Sequence, residues 1–320
     1  MHYLMRLLSL AFIIGGTVCN PIFATQKLDS CVAAELQKCK NFLLQEEAQN
    51  MYALKKELVI PDYIWDTANR VVEQAKIDLW ASLKKPLASP FRDKKIPSFI
   101  IAWLEEIAVL YGIHPKSFHI KLMQVPGQSH VKKETYSSAY VAYPSYSVRI
   151  RDKKQVSVSF HSDFAIYLHP QFIKNFESIR VKTLYHEMMH VRTLNGIVAS
   201  IFFGVLKAFG YDAQKTVQGK SIQIKAIKLL ERNTDLFVML EGESLAHGFS
   251  LFYEKTIKNA ASALADYGDA THFGKALMRE WSDVICSLYQ GAFFESNSVR
   301  EAVTFLQQRQ NAAYIKGRSI

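Results

Sequence analysis

The pentapeptide from His186 to His190, HEMMH, constrains the fold of this chain more than any other stretch of its sequence. In a helix, residues four apart lie one turn above each other, so the two imidazoles project from one face and can bind one metal ion. Glu187 lies beside them, where it can take a proton from a water molecule at the metal. The segment is therefore predicted to be a helix with one face reserved for chemistry.

Apolar residues on the opposite side of this segment predict how the helix is anchored. Val181, Leu184, Met188 and Val191 follow the i, i+3, i+7, i+10 spacing of a buried stripe. The helix should therefore bury one face and leave the two histidines accessible. Because HExxH also arises by chance, the motif needs a third ligand to support it.

A third metal ligand is expected on a neighbouring helix, since a catalytic zinc ion typically has three protein ligands and one open position. Residues 235–252 are apolar nearly all the way round, which is typical of a buried helix. A carboxylate there is costly to bury unless a cation pairs with it. We predict Glu243 as the ligand; Glu241 and His247, on the same segment, are alternatives that the sequence leaves open.

The N-terminal residues have the layout of an export signal. Arg6 precedes an apolar run at residues 7–18, and the small residue Ala24 comes before a polar stretch. An uncleaved anchor helix is the alternative, but the run is shorter than the roughly 20 residues that span a membrane. We therefore predict a signal peptide at residues 1–24 and an exported protein, periplasmic or secreted, of a bacterial envelope.

The composition is that of a basic globular protein. The chain has 320 residues, 49% of them hydrophobic, and a formal net charge of +10, which excludes disordered and fibrous classes. Its lysines and arginines are scattered in pairs rather than gathered on one helix, so no nucleic-acid site is expected. Peripheral contact with an anionic envelope surface fits this charge better. The oligomeric state is not predicted.

The cysteines leave the disulfide pairing open. After removal of the signal, the chain would keep Cys31, Cys39 and Cys286. An odd number permits at most one internal bridge, and no cysteine spacing indicates a thiolate metal site.

The order of predicted elements indicates an α+β fold flanked by additional helices. Residues 25–95 are predicted as an N-terminal helical region with a break at Pro61, and residues 84–97, with three prolines, as its linker. Residues 96–255 form the predicted core, and residues 256–320 a C-terminal helical region.

Within the predicted core, a helix after Pro97 precedes a small, mainly antiparallel sheet. Alternating residues in SVRI and VSVSF predict a hairpin, and FAIYLHP, residues 164–170, predicts a strand that leads into the HExxH helix. The charge-free residues 193–206 are too few to span a membrane and predict a buried helix beside the site.

These motifs, in this order, resemble the gluzincin metallopeptidases of the HtpX and CAAX-prenyl-protease type. In that family, HExxH is followed by an apolar helix and then by an ExxAD segment, to which ESLAH at residues 243–247 is similar. The resemblance covers about half of the chain, residues 96–252. One departure is His247, which stands where the family has the aspartate that orients a ligand histidine.

The resemblance implies a zincin-like (minigluzincin) core with one Zn²⁺ ion. His186, His190 and Glu243 would bind the ion, Glu187 would be the general base, and His247 or Glu241 would support the site or replace the third ligand. It also implies an edge strand for an extended peptide substrate. The residues of that strand would be Ala165, Ile166, Tyr167, Leu168 and His169.

The expected function is that of an exported zinc endopeptidase acting on peptides or proteins. A non-catalytic zincin-fold binding or scaffold protein of the cell envelope is the alternative, because the substitution at His247 is compatible with loss of turnover. A helical envelope protein with an accidental HExxH is a third hypothesis.

Overall fold

The computed structural model of the protein describes residues 30–124, 139–151, 155–174, 176 and 181–240. Over these residues the fold is α+β, as the sequence predicts. The predicted signal peptide, residues 1–24, and the predicted C-terminal helical region, residues 256–320, lie outside the described residues.

Along the chain, a group of helices is followed by a group of short strands and then by further helices. The helices are α1 (Ser30–Glu57), α2 (Asp62–Leu83), α3 (Ser98–Leu110), α4 (Pro170–Lys174), α5 (Val181–Thr193), α6 (Asn195–Ala208) and α7 (Val217–Leu240). The strands are β1 (His119–Leu122), β2 (Ala139–Ala142), β3 (Tyr146–Arg151), β4 (Gln155–Phe160) and β5 (Ala165–Leu168).

Prolines mark the starts of two predicted helices. Pro61 and Pro97 are the N-caps of α2 and α3, with extended backbone at ψ 145° and 137°. An N-cap residue usually has extended rather than helical backbone, and the fixed φ of proline is compatible with that conformation, so proline can stand directly before a helix. The two predicted N-terminal helices and the helix after Pro97 are thereby confirmed.

Cys31 and Cys39 both lie on α1, eight residues apart. A continuous helix separates such residues by about 12 Å along its axis, which is too far for a disulfide.

The strands form two small sheets. β3 and β4 make the predicted antiparallel hairpin, in register from Tyr146 opposite Phe160 to Arg151 opposite Gln155. The second sheet has the order β1-β5-β2, with β5 parallel to β1 and antiparallel to β2. This sheet is mixed, not purely antiparallel.

The strand predicted to be the substrate edge is the central strand of its sheet. β5 pairs with β1 on one side and with β2 on the other, so it has no edge to offer. Its Ile166 and Leu168 are fully buried, and a short, nearly continuous apolar run is typical of such a central strand. The edge-strand prediction is therefore wrong for Ala165, Ile166, Tyr167 and Leu168, and His169 lies just beyond the strand.

The chain divides into two compact units, residues 1–50 with 224–320 and residues 51–223. In the second unit, α5 packs against α3 and β2, and α2 packs against α6. The expected linker, residues 84–97, lies within this unit and makes hydrogen bonds to other residues of it. The Arg92 guanidinium donates to the carbonyl oxygens of Phe118 at 2.7 Å and Pro115 at 2.6 Å.

In the first unit, a buried polar network joins α1 to α7. The fully buried Arg232 donates to Glu46 Oε2 at 2.9 Å and to Asn233 Oδ1. Asn233 donates in turn to Glu47, whose carboxyl has its pKa raised by burial. Removing one partner of a buried ion pair costs about 3–5 kcal/mol. Loss of either partner of the Arg232–Glu46 pair is therefore expected to destabilise the packing of α1 against α7.

Helix α6 is the predicted buried helix. Its Ile197, Ile201 and Val205 are almost completely buried. No single described helix has the length and apolar character to cross a membrane; the bent pair Thr183–Thr193 and Asn195–Ala208, with 44° between its halves, meets those criteria on length and composition alone.

Candidate metal centre

The two histidines of HEMMH project from the same face of α5, as their spacing predicts. Their Nε2 atoms lie 2.9 Å apart, and the ring centroids are 4.6 Å apart. Two zinc–nitrogen bonds of about 2.0–2.1 Å at a tetrahedral angle place the nitrogens about 3.3 Å apart. An increase of about 0.4 Å in the distance between the Nε2 atoms of His186 and His190 would therefore suit two ligands of a tetrahedral zinc ion.

The opposite face of α5 is buried, as predicted. Leu184, Met188 and Val191 are fully inaccessible to solvent, which fixes how the helix is rotated. Glu187 and His190 are 7% exposed and His186 is half-buried, so most of the motif is sheltered from bulk water. In such a setting electrostatic interactions are stronger than at an exposed surface.

Glu231 of α7 brings a carboxylate to the two histidines. One ligand atom from each of His186, His190 and Glu231 can be chosen so that all three lie within 4.8 Å of one another. Two imidazole nitrogens and one carboxylate oxygen are a donor set that zinc accepts. The three residues could therefore hold a metal ion.

The predicted third ligand, Glu243, lies outside the described residues, as do Glu241 and His247. Their roles stay predictions. Sequence reasoning passed over Glu231 because the apolar segment it considered begins only at Asp235.

A signal for Glu231 was nevertheless present in the sequence. Glu231 and Asp235 stand four residues apart in ERNTD, the same spacing as the glutamate and aspartate of the family's ExxAD segment. This polar run interrupts a mainly apolar helix, in which ionisable residues need a partner. ERNTD shares the glutamate and the aspartate of ExxAD, whereas ESLAH shares the glutamate and the alanine.

Asn195, which sequence reasoning also missed, forms a hydrogen bond with His190. Its Oδ1 lies 3.1 Å from His190 Nδ1 and accepts from the Gly196 backbone N–H at 2.8 Å. Because an amide oxygen only accepts, His190 Nδ1 must donate to it. Its Nε2 is then left with a lone pair that faces His186, as metal ligation requires.

A backbone bend between α5 and α6 brings Asn195 into this position. Leu194 has a φ of 54°, in the left-handed region, and its side chain is fully buried. For a residue other than glycine this conformation costs about 1–2 kcal/mol. Burial of Leu194 offsets that cost, and the bend turns Asn195 back toward His190. The Asn-Gly pair that follows is a recognised turn signal.

Replacement of Asn195 by alanine is expected to weaken zinc binding by about 10- to 100-fold, the usual cost of losing a partner that orients a ligand histidine. Asn195→Asp keeps an oxygen acceptor and should bind zinc far more tightly than the alanine variant. Competition with a chromophoric chelator measures both affinities, and circular dichroism checks the fold. Equal affinities for wild type and Asn195→Ala would refute the positioning role.

His169, predicted to end a substrate strand, has a local structural role instead. It is buried, and its Nδ1 accepts the backbone N–H of Gln171 at 3.1 Å, at the start of α4. The side chain thus caps the turn that leads from β5 into α4.

Comparison with known proteins gives no match: no protein-family model, no curated protein and no solved structure corresponds to this chain. What the site can do is therefore inferred from its own residues. These are two imidazoles aimed at one point, a carboxylate near them, and a second carboxylate, Glu187, on the same helix as the histidines.

Proposed function

We propose that this protein is a zinc-dependent endopeptidase with a gluzincin-type site. The observation that carries the proposal is that one ligand atom each of His186, His190 and Glu231 lie within 4.8 Å of one another. His186 and His190 would bind zinc through Nε2, and Glu231 would be the third ligand in place of Glu243. Three ligands of this kind leave one coordination position open, which distinguishes catalytic from structural zinc sites.

Glu187 is the general base in this proposal. Zinc supplies a Lewis acid that polarises a carbonyl and acidifies water at the open position. Glu187 takes a proton on its carboxylate and later delivers it to the departing amine of the cleaved peptide bond. The position of Glu187 next to His186 and its burial support this role. Bulk water does not surround a buried carboxylate, so few water molecules compete for the hydrogen bonds that it makes during the reaction.

We propose the zincin-like (minigluzincin) core on the same grounds, the grouping of His186, His190 and Glu231.

The substrate strand is reassigned from β5 to β2. Among the described strands β2 pairs with β5 alone, on one side. The HExxH helix α5 packs against β2, so a peptide added alongside β2 would lie next to that helix. Main-chain hydrogen bonds to such an edge bind extended peptides with little regard to sequence.

Extended substrates and an export signal together favour unfolded peptides or proteins of the cell envelope. Export rests on residues 1–24, which lie outside the described residues, and it stays a proposal. The net charge of +10 fits a protein that works near anionic envelope surfaces.

Purified protein is expected to cleave unstructured casein and to lose at least 90% of that activity after dialysis against a zinc chelator. Addition of one equivalent of Zn²⁺ should restore cleavage, because a single ion completes the site. Product peptides are measured by mass spectrometry. Undiminished cleavage by protein that elemental analysis shows to be metal-free would contradict the proposal.

A further inference from the structure

Three side chains form a row across the face of the β1-β5-β2 sheet that carries its polar residues. Tyr167 of β5 lies opposite Lys121 of β1 and opposite Tyr140 of β2 in the strand register. The two tyrosine rings stack with 4.9 Å between centroids and 6° between planes. Lys121 Nζ lies 5.8 Å from the centroid of the Tyr167 ring, within the range of a cation–π contact.

The row ends at an accessible ring. Tyr140 is 43% exposed although one face of its ring is stacked on Tyr167. Nearby Phe91 is 50% exposed. Exposed aromatic side chains grouped in this way are typical of interaction sites rather than of an ordinary protein surface.

We propose that the outer face of Tyr140, where this row ends, is a specificity subsite, which receives an aromatic side chain of a peptide bound alongside β2. The inference rests on the proposed function, since that function supplies a peptide at β2. A peptide residue directly opposite Tyr140 would be the fourth member of the row Lys121–Tyr167–Tyr140.

The register of the sheet gives the physical reason. Side chains directly opposite each other on neighbouring strands lie about 4.5–5.5 Å apart at Cβ, so the residue beside Tyr140 would contact its ring. An aromatic side chain there would extend the stack, and stacked pairs contribute beyond the area that they bury. Burial and the neighbouring Tyr167 raise the pKa of Tyr140, so its phenol stays neutral near pH 7.

Peptide residues on either side of the one opposite Tyr140 would point to the other face of the sheet, where Ile166 is buried.

The test is a cleavage profile. Wild type, Tyr140→Ala and the control Tyr63→Ala, which removes an exposed tyrosine of α2, are incubated with a library of proteome-derived peptides, and the products are sequenced by mass spectrometry. In wild type, Phe, Tyr and Trp should be enriched about three- to tenfold at one fixed position from the cleaved bond, the range that an aromatic pair contributes. Tyr140→Ala should lose this enrichment, and Tyr63→Ala should keep it.

A binding measurement separates this inference from the proposed function. Immobilised Glu187→Gln protein with zinc is exposed to the same library, and the retained peptides are identified. If wild type cleaves nothing but Glu187→Gln protein retains aromatic peptides that a Glu187→Gln/Tyr140→Ala protein does not, the subsite stands and the peptidase proposal fails. A profile without aromatic enrichment, or enrichment that survives Tyr140→Ala, would overturn the subsite while leaving the peptidase proposal intact.

Discussion

Glu187→Gln is expected to reduce peptide hydrolysis by about 10²- to 10⁴-fold, the contribution of a positioned general base, while zinc remains bound. Glutamine has nearly the same shape as glutamate but does not accept a proton at neutral pH. Because His186, His190 and Glu231 are unchanged in this variant, the metal affinity should stay within about threefold of wild type. Casein cleavage and a zinc competition titration, made on the same preparation, measure the two quantities.

An exposed glutamate provides the control. Glu73→Gln removes the same charge from the surface of α2 and should leave both cleavage and zinc binding as in wild type. If Glu187→Gln cleaves casein as fast as wild type, Glu187 is not the base. If wild-type protein binds one zinc ion but cleaves no peptide, the alternative of a non-catalytic zincin-fold binding or scaffold protein is favoured.

Glu231→Ala is expected to weaken the affinity for zinc by more than about 100-fold, because a direct ligand is removed. Loss of a residue that only orients a ligand typically weakens the affinity by about 10- to 100-fold. Glu243→Ala, the variant at the position that the family resemblance indicated, should bind zinc as wild type does. Elemental analysis after dialysis and a competition titration distinguish the two variants. The physical reason is the closeness of Glu231 to the two histidines.

Zinc bound normally by Glu231→Ala but lost in Glu243→Ala would reverse the choice of third ligand. Retention of zinc in both variants would point to Glu241 or His247, the remaining alternatives.

Local patterns in the sequence predicted much of the fold. Proline at position 97 and the apolar periodicity after it predicted α3, and alternation on either side of residues 151–155 predicted the β3–β4 hairpin. The spacing of His186 and His190 predicted their common direction. These features depend on neighbours within a few residues, so the covalent geometry of a helix or hairpin determines them.

The order of strands in a sheet was not predictable in this way. The strand of residues 165–168 was expected at an edge, but it lies between β1 and β2. Its burial pattern gave a partial signal, since a nearly continuous apolar run favours a central strand. Which strands flank it depends on contacts between segments more than 20 residues apart, and no local pattern reports those.

The sequence by itself determined the chemistry on α5: two imidazoles on one face, a carboxylate beside them, and an apolar stripe that anchors the helix. Only the tertiary structure decided that Glu231 approaches the histidines and that Asn195 orients one of them. Glu231 lies 41 residues beyond His190 in the chain, and Asn195 reaches its partner through a left-handed residue. Periodicity gives the direction of a side chain relative to its own helix, whereas the packing of the folded chain determines which other side chains it meets.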